Sequence, residues 1–577
     1  MRRLARTAFI LLFFVAIVSC KPRLAPTMAR GGMVVCASAP ACDVGAGILT
    51  RGGNAVDAAV ATALALAVTH PSAGNIGGGG FMVVHTPNGE TTTFDYRERA
   101  PGAATRTMYL RNGEIDISLT NEGYIAPGVP GTVRGLALAH ARLGSLPWRD
   151  LVMPAVSLAE NGFVLSDTLA RNLNRQIDGV MGHYPSSVEA YGKPGGGTWA
   201  AGDRLVLKDL ARTLRSIADD GPDAFYKGWI ADRIDAEMKA NGGLITKEDL
   251  AAYEAKERRP VRGRYRDFDI VSMPPPSSGG VALIEMLNVL EPFHLKDKGR
   301  GSAEAMHLEI EAMRRAYLDR ARFLGDPDFV DIPERKLLSK EYARTLSDSI
   351  DPARATRSMD LGADIVTPPP TEPEETTHFS VIDGRGMAVA NTCTLEGGFG
   401  SRVVVKGAGF LLNNEMGDFN KNPGVTNTSG DIGTAANLID PGKRMLSSMT
   451  PTVVERNGKV VLITGSPGGR TIINTVLSVV LGVTEFGMTV RDAVDAPRLD
   501  HEWLPDRANV EENGAPEEVV RALRAMGHTI KVGGTQGDAN SIAVDASGVP
   551  SGANDRRNSD GKVSVASAGL TSARSPH

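Results

Sequence analysis

Two threonines begin a segment in which short β-forming runs alternate with turns, and their hydroxyl groups are the first candidates for chemistry. Thr376 and Thr377 directly follow a strip with four prolines between positions 368 and 373. A threonine hydroxyl is activated by its own α-amine when the residue is the first of a chain. Thr376 reaches that state only if the bond to Glu375 is cut. Because threonine is β-branched, simple entry into a strand is the alternative that these residues leave open.

The stretch HFSVIDGRGMAVANTCTL predicts a β-hairpin that gives Thr376 a hydroxyl neighbour. Two runs of β-forming residues flank DGRG, which is a strong turn signal. If the loop spans 384–386, Asp383 pairs with Met387 and Thr376 lies opposite Thr394. Cross-strand neighbours of this kind are in contact.

Two glycine-rich stretches bring backbone amides into consideration. GNIGGGGFM at 74–82 lies between a predicted helix and a predicted strand, which is the reverse of the order in a dinucleotide fingerprint, so a tight turn is the better interpretation. GSPGG at 465–469 follows the apolar run KVVLIT and precedes a predicted helix that begins near Thr471. Such a turn either forms an anion-binding nest or only connects two elements, and the residues alone favour the connector.

The surrounding pattern predicts the elements that carry these groups. We expect a buried helix over 54–68, a helix capped by Thr246, an amphipathic helix after the proline break at 272–280, and a helix near RTIINTVLSVVLGVTE. The strip at 351–375 should be extended and exposed, and residues 564–577 should form a loose tail. The main boundary is drawn between 375 and 376.

The N-terminus has the features of an export signal over residues 1–20. Three arginines precede an apolar run at 8–18 that is too short to span a bilayer comfortably. The ending IVSC resembles a lipobox, in which Cys20 would carry a lipid, and ordinary signal-peptidase cleavage is the alternative. After export, Cys36 and Cys42 could form a disulfide or remain free thiols.

Composition excludes some functional classes. Of 577 residues, 42% are hydrophobic and 23% charged, and the formal net charge is -4, so nothing indicates a nucleic-acid partner. The sequence has no CxxC pair and no HExxH motif, which gives a zinc site little support.

Several motifs, in this order, resemble the γ-glutamyltransferase (γ-glutamyltranspeptidase) family of N-terminal nucleophile hydrolases. They are GGNAVDAAVATALALAVTHPSAGNIGGGGFM, FDYRERAPG, LITKEDLAAY, TTHFS, TCTL, LLNNEMGDF, GKRMLSSMTPT and GSPGG. The likeness runs over about 32–557. It favours Thr376 as a nucleophile over simple entry into a strand. The resemblance implies an α+β fold, a four-layer αββα sandwich, in a precursor that cuts itself into a large subunit, 21–375, and a small subunit, 376–577.

The resemblance also implies the catalytic groups. Thr376 would be the nucleophile and, once cleavage has made it the first residue, its α-amine the general base. Thr394 matches the threonine that orients the nucleophile. Gly468 and Gly469 match the pair whose amides form an oxyanion hole.

A γ-glutamyl group carries a carboxylate and an ammonium at its far end, and the resemblance supplies partners for both. Arg97 matches the arginine that binds the carboxylate, with Ser447 and Ser448 as hydroxyl donors. Glu415 and Asp418 match the ligands of the ammonium.

Glu396 occupies a position where many members have Asn and some have Glu, and it too should favour the ammonium. The segment 423–443 corresponds to a lid loop found in many bacterial members, with Ser429 at its rim where some members present an aromatic residue.

The implied activity is γ-glutamyl transfer and hydrolysis of glutathione and similar amides through an ester on Thr376. Acceptors would be water, amino acids or dipeptides, and no cofactor or metal is implied. The two subunits would form a heterodimer, in contact with a membrane only through a lipid at Cys20. The alternatives are a glutaryl-cephalosporin acylase on the same scaffold and a catalytically silent envelope lipoprotein that binds a ligand.

Overall fold

The computed structural model describes residues 27–28, 31–365 and 376–567 of the chain. The expected signal peptide and Cys20, the end of the proline-rich strip with Glu375, and residues 568–577 lie outside the described residues. The described strands, numbered in chain order, are β1 (Thr27–Met28), β2 (Gly32–Cys36), β3 (Gly79–His85), β4 (Thr91–Asp95), β5 (Leu110–Arg111), β6 (Glu114–Ile115), β7 (Phe163–Val164), β8 (Arg204–Leu205), β9 (Lys256–Arg258), β10 (Val261–Tyr265), β11 (Phe268–Ser272), β12 (Thr377–Asp383), β13 (Ala388–Thr394), β14 (Thr452–Arg456), β15 (Lys459–Thr464), β16 (Leu499–Asp500), β17 (Ala508–Val510), β18 (Ile530–Val532), β19 (Ser541–Val544), β20 (Pro550–Ala553) and β21 (Lys562–Val565).

The remaining regular elements of the described structure are helices. The α-helices are α1 (Ala39–Thr50), α2 (Ala55–Thr69), α3 (Ser118–Asn121), α4 (Thr132–Leu143), α5 (Trp148–Asn161), α6 (Asp167–Asp178), α7 (Pro185–Tyr191), α8 (Lys208–Asp220), α9 (Asp223–Tyr226), α10 (Trp229–Asn241), α11 (Lys247–Ala251), α12 (Gly279–Leu290), α13 (Leu295–Lys298), α14 (Ala303–Phe323), α15 (Glu334–Leu337), α16 (Lys340–Asp348), α17 (Ser358–Leu361), α18 (Ile472–Thr484), α19 (Val490–Asp495) and α20 (Glu517–Ala525). Short 3₁₀ helices cover Val180–His183, Glu291–Phe293, Glu415–Asp418, Ala435–Asn437 and Gly469–Thr471.

Two antiparallel sheets form the centre of the fold. One sheet has the order β1-β20-β19-β15-β14-β11-β10, and the other has the order β21-β2-β12-β13-β3-β4-β9. The sheets pack face to face, since β12 and β13 contact β14, β15 and β19. Helices α12 and α18 cover the outer face of the first sheet, and α1, α2 and α4 cover that of the second. The architecture is therefore the expected four-layer αββα sandwich.

The predicted hairpin lies in the middle of the second sheet. The Asp383 amide donates to the Met387 carbonyl at 3.0 Å, which closes the three-residue loop. Thr377 pairs with Cys393, so the register is the one expected from the sequence. Strand β12 also pairs with β2, and β13 with β3. Because both hairpin strands have neighbours, their positions are held on each side.

Several local predictions are confirmed. The buried helix runs over Ala55–Thr69, and Asn54 caps it by accepting from the Asp57 amide at 2.9 Å. Thr246 caps the helix Lys247–Ala251 in the same way. The apolar segment after GSPGG forms the helix Ile472–Thr484.

Three expectations are wrong in part. The helix Gly279–Leu290 is buried on every side rather than amphipathic, because it lies between the first sheet and α14. The strip is not extended throughout its described part, since α17 forms there and the Trp503 indole donates to the Ser358 carbonyl at 3.0 Å. The supposed tail begins inside a strand, because Lys562–Val565 pairs with β2.

Of the two alternatives for Cys36 and Cys42, a disulfide or two free thiols, the structure contains the disulfide. Cys36 and Cys42 form a disulfide with a sulfur–sulfur distance of 2.10 Å, and Cys393 is a buried free thiol. Among the described residues, no helix combines the length and the apolarity needed to cross a bilayer.

Capping of α2 generates a prediction about stability. Asn54→Ala removes the side-chain oxygen that accepts from Asp57 and the amide that donates to the Leu143 carbonyl at 2.6 Å. We expect a loss of about 1–2 kcal/mol in the free energy of unfolding, measured by chemical denaturation. Asn54→Ser keeps the capping oxygen and should recover about half of that loss. Equal stability of Asn54→Ala and the parent protein would contradict this role.

Candidate active site

The hydroxyl groups of the two hairpin threonines meet at the end of β13. Thr376 Oγ1 lies 3.4 Å from Thr394 Oγ1, as the register requires. Thr376 is half-buried, whereas Thr394 is buried. The next residue, Thr377, turns its hydroxyl into the protein, where Oγ1 has no hydrogen-bond partner among the described residues. Of the two threonines that begin this segment, only Thr376 faces the candidate site.

Thr394 is held on two sides. Asn75 Nδ2 donates to the Thr394 carbonyl at 2.7 Å, and the Glu396 amide donates to Thr394 Oγ1 at 2.7 Å. Asn75 comes from the glycine-rich turn, and its Oδ1 accepts from the Gly78 amide at 3.0 Å. The turn that resembled a nucleotide fingerprint therefore holds the backbone of Thr394.

The GSPGG turn presents unused donors. Gly468 and Gly469 have φ angles of 128° and 52°, in the left-handed region that favours glycine. Neither amide has an acceptor among the described residues, whereas the Gly468 carbonyl accepts from Thr471. A turn whose adjacent amides are unpaired fits an anion-binding nest better than a plain connector.

Arg97 forms the charged centre of the site. Its guanidinium is fully buried and donates to the carboxylates of Glu415 and Asp418. The same group also donates to the carbonyls of Met445 and Leu446, at 3.2 and 3.1 Å. Burial opposes its charge, but the carboxylates outweigh burial and raise the pKa of Arg97. The predicted carboxylate ligand and the predicted ammonium ligands thus neutralise one another.

Glu98, which sequence reasoning did not select, lies beside this centre. Its carboxylate is 3.7 Å from Arg97 Nη1, and neither oxygen has a hydrogen-bond partner among the described residues. Burial raises the pKa of Glu98 to about 7, against the opposing effect of Arg97. Burial likewise raises the pKa of Glu415 well above its usual range. The adjacency of Glu98 to Arg97 in FDYRERAPG is the signal that could have found it.

The two predicted serines lie next to the same cavity, with different partners. Ser447 Oγ accepts from the Met449 amide at 3.1 Å. Ser448 Oγ accepts from Arg320 Nη2 at 3.0 Å. Arg320 comes from the long helix α14, where no local motif marks it.

One cavity of about 410 Å³ brings these residues together, a volume within the range of small-molecule sites. Nine of the ten predicted site residues line it: Arg97, Thr376, Thr394, Glu396, Glu415, Asp418, Ser447, Ser448 and Gly469. Gly468 does not line the cavity itself but immediately precedes Gly469. The expected lid segment 423–443 contributes Ser429, Gly430, Ile432 and Asn437 to the lining.

Further lining residues come from distant segments that the sequence did not mark. They include Arg320, Arg470, Asp500, Glu502, Arg507, Asn509, Lys531 and residues 533–536. Arg470 Nε donates to Glu502 at 2.7 Å, which links the GSPGG turn to this second group.

A separate cluster in the described part of the chain has the ligand types of a metal site. His307, Glu311 and His528 bring one ligand atom each within 4.8 Å. The Glu311 carboxylate already accepts from Arg314 and Arg315, so two cationic groups stand where a metal ion would have to bind. The arrangement favours a structural network over a metal centre.

Comparisons with known proteins agree with this geometry. The family model described as gamma-glutamyltranspeptidase matches residues 41–565. The chain is 47% identical over 536 residues to the glutathione hydrolase proenzyme of Escherichia coli (strain K12), covering 93% of this chain and 92% of that protein. It is 36% identical over 570 residues to the acylase ACY 1 proenzyme of Pseudomonas sp. (strain SE83), covering 97% of each. The crystal structure of cephalosporin acylase from Bacillus halodurans is similar, with a TM-score of 0.83 and 29% identity over 96% of this chain and all of that one.

The raised pKa of Glu98 predicts the direction of a pH dependence. Folding disfavours the charged carboxylate, so Glu98 costs no stability below its ordinary pKa of 4.5 and an increasing amount as pH rises to about 7, above which the cost is constant. Glu98→Gln removes this titration. We expect the Tm of the variant, relative to the parent, to be higher at pH 8 than at pH 4.5.

Thermal unfolding at the two pH values measures this difference. Glu512→Gln, at an exposed carboxylate, is the matched control and should give the same relative Tm at both. A relative Tm of Glu98→Gln that does not change with pH would contradict the buried, raised-pKa carboxyl.

Proposed function

The chain belongs to the gamma-glutamyltranspeptidase family, and on this premise we propose that Thr376 is the nucleophile of its reaction, with the lining of the cavity as the γ-glutamyl site. The protein is an enzyme that transfers and hydrolyses γ-glutamyl groups, and it is made as a precursor that processes itself. The proposal concerns which residues do this. The observation that carries it is that Arg97, Glu415 and Asp418 share one cavity with Thr376.

Self-cleavage would create the catalytic group. In our proposal Thr376 Oγ1 attacks the carbonyl of Glu375, the peptide C–N bond breaks as a C–O bond forms, and water hydrolyses the resulting ester. Residues 21–375 and 376–577 then form the two subunits. The freed α-amine of Thr376 stands beside the hydroxyl and can take its proton.

Catalysis would follow the same path with a substrate amide. The α-amine accepts the proton of Oγ1, and Oγ1 attacks the γ-carbonyl carbon. The amides of Gly468 and Gly469 donate to the developing oxyanion, and donors of this kind are each worth about 10²–10³ in rate. The amine of the substrate leaves with a proton from the α-ammonium of Thr376. Water or another amine then attacks the ester and releases the γ-glutamyl group.

Thr394 would orient the nucleophile. Its Oγ1 lies 3.4 Å from that of Thr376 and accepts from the amide of Glu396 at 2.7 Å, so its own position is fixed by the backbone. A hydroxyl held in this way restricts the rotamers from which Thr376 can attack.

The charged centre would recognise the far end of the γ-glutamyl group. The substrate carboxylate would take donors of Arg97, with Ser447 and Ser448 beside it, and the substrate ammonium would take the carboxylates of Glu415 and Asp418. Each new ion pair would replace one that Arg97 makes with Glu415 or Asp418. Glu396 would add negative charge near the ammonium.

A glutaryl-cephalosporin acylase is the second candidate, because an acylase proenzyme and a cephalosporin acylase are among the similar proteins. A glutaryl group has the carboxylate but no ammonium. Glu415 and Asp418 would then lack a cationic partner in the substrate, which leaves buried negative charge uncompensated once Arg97 turns to the carboxylate. A γ-glutamyl substrate, in contrast, supplies a carboxylate for Arg97 and an ammonium for Glu415 and Asp418.

Export is part of the proposal. The signal-like residues 1–20 support delivery across the inner membrane to the periplasm, and Cys20 would be the attachment point of a lipid anchor. The donor would be glutathione or another small γ-glutamyl amide, and the acceptor would be water or the amine of an amino acid or dipeptide.

Thr376→Ala should abolish both processing and activity. We expect intact-mass analysis of the parent protein to show two fragments, the smaller of which begins at Thr376, and the variant to remain one chain, because alanine has no hydroxyl to attack the preceding carbonyl. Thr377→Val is the matched control at the neighbouring buried threonine and should be processed. Active parent protein with an intact chain would refute the proposed nucleophile.

Asp418→Asn should shift selectivity between substrates with and without the ammonium. The variant removes one negative charge, so we expect kcat/KM for a γ-glutamyl anilide to fall by about 10–100-fold, the usual worth of a hydrogen bond to a charged group. Its kcat/KM for a glutaryl anilide should not fall. Initial-rate measurements on both anilides give the ratio of kcat/KM for the γ-glutamyl anilide to kcat/KM for the glutaryl anilide.

The matched control is Asp440→Asn, which removes a carboxylate paired with Arg106 outside the cavity. Its ratio should equal that of the parent protein. A parent enzyme that prefers the glutaryl anilide, or an Asp418→Asn ratio equal to that of the parent, would favour the acylase.

A further inference from the structure

The cavity has a second wall that the γ-glutamyl site does not use. We call it the outer wall, and it consists of Arg507, Asn509, Lys531 and residues 533–536. Strands β17 and β18 run parallel and place Asn509 beside Lys531. Arg507 Nε donates to Asn509 Oδ1 at 3.1 Å, which holds the guanidinium on the same side. Two cationic side chains therefore stand together on one face of this small sheet.

The cations of the outer wall lack ion-pair partners. In the part of the chain that the structure describes, neither Arg507 nor Lys531 pairs with a carboxylate. The acids nearby are already engaged: Asp500 accepts from Asn509 at 3.0 Å, and Glu502 pairs with Arg470 at 2.6 Å. Burial raises the pKa of Asp500 to about 7, which further reduces its negative charge. The outer wall thus presents positive charge that the protein itself does not neutralise.

The outer wall lies beside the proposed oxyanion turn. A Cβ on Gly468 would lie 3.5 Å from the Cα atom of Gly537, so the loop that carries residues 533–536 is in contact with GSPGG. Arg97, in contrast, makes its hydrogen bonds with Asp95, Glu415, Asp418 and the 445–446 backbone, none of which belongs to the outer wall. The outer wall and the Arg97 centre are therefore separate parts of the lining of the cavity that also contains Thr376.

Space for a ligand remains at the outer wall. A Cβ placed on Gly533 or Gly534 would meet no atom within 4 Å, and both residues have left-handed φ angles, 129° and 76°. Lys531 is exposed and Arg507 half-buried, so both can follow a bound group. A carboxylate is the anion whose geometry suits an Arg fork with a Lys point charge beside it.

We propose that Arg507 and Lys531 form a subsite for the carboxylate on the amine side of the scissile amide. In a γ-glutamyl peptide this is the C-terminal carboxylate of the leaving dipeptide, and in transfer it is the carboxylate of the acceptor. The subsite deepens the proposed function and rests on it, because the γ-glutamyl end must occupy the Arg97 centre for the other end to reach the outer wall. It makes peptides with a free C-terminus the preferred donors.

The test compares glutathione with its C-terminal amide, which differs only in the carboxylate. We expect the parent enzyme to have a kcat/KM about tenfold higher for glutathione than for the amide. Lys531→Gln and Arg507→Gln should each lower that ratio about threefold, as expected for a partly exposed ion pair, and the double variant should bring it close to one. Added salt should lower the ratio for the parent enzyme, because partly exposed charges are screened.

Arg521→Gln is the matched control, since it removes an exposed cation of α20 that does not line the cavity. The ratio of its kcat/KM for glutathione to its kcat/KM for the amide should match that of the parent enzyme. A parent ratio near one, a double variant with the parent ratio, or an equal change in Arg521→Gln would overturn the subsite. If neither peptide is cleaved in a Thr376-dependent reaction, the proposed function itself fails; cleavage of both without discrimination removes the subsite alone.

Discussion

The register of one hairpin is the constraint on which the active site depends. Strands β12 and β13 form the middle of a seven-stranded sheet, so a slip of β12 by one residue would turn Thr376 away from Thr394 and move every side chain of β12 to the opposite face. The flanking strands β2 and β3 come from the N-terminal part of the chain. A cut before Thr376 would therefore free a terminus without freeing a subunit, because strands from both sides of the cut pair with one another in both sheets.

Charge balance imposes the second constraint. Arg97 is fully buried, and a buried cation without partners would cost several kcal/mol. Glu415 and Asp418 supply those partners, and in the proposed site a zwitterionic substrate would exchange one set of ion pairs for another of the same signs. A ligand with a single charge leaves this exchange incomplete. In the proposed function, specificity for the γ-glutamyl group would thus follow from the same ion pairs that stabilise buried Arg97.

The sequence allowed much of the fold and site to be predicted, and the failures have physical causes. Local signals sufficed where neighbours in the chain decide the structure, as for the hairpin turn and the Thr246 cap. They could not show that α12 is covered on its second side by α14, which makes an apparently amphipathic helix fully buried. Tertiary packing brings three cationic residues to the cavity from distant parts of the chain: Arg320, Arg507 and Lys531. No spacing of residues within the sequence indicates that they belong to the site. Whether Cys36 and Cys42 pair also depended on geometry that the sequence left open.

Glu396 has a strained backbone conformation and contacts both Thr394 and the cavity. Its φ of 76° lies in the left-handed region, where residues other than glycine are uncommon and asparagine is better tolerated than glutamate. This conformation aims the Glu396 amide at Thr394 Oγ1, at 2.7 Å, while its carboxylate accepts from Asn414. Strain of this kind costs about 1–3 kcal/mol and persists where surrounding contacts hold it. One residue therefore contacts Thr394 through its backbone amide and the cavity through its carboxylate, so a substitution that keeps the left-handed conformation would change the second contact without the first.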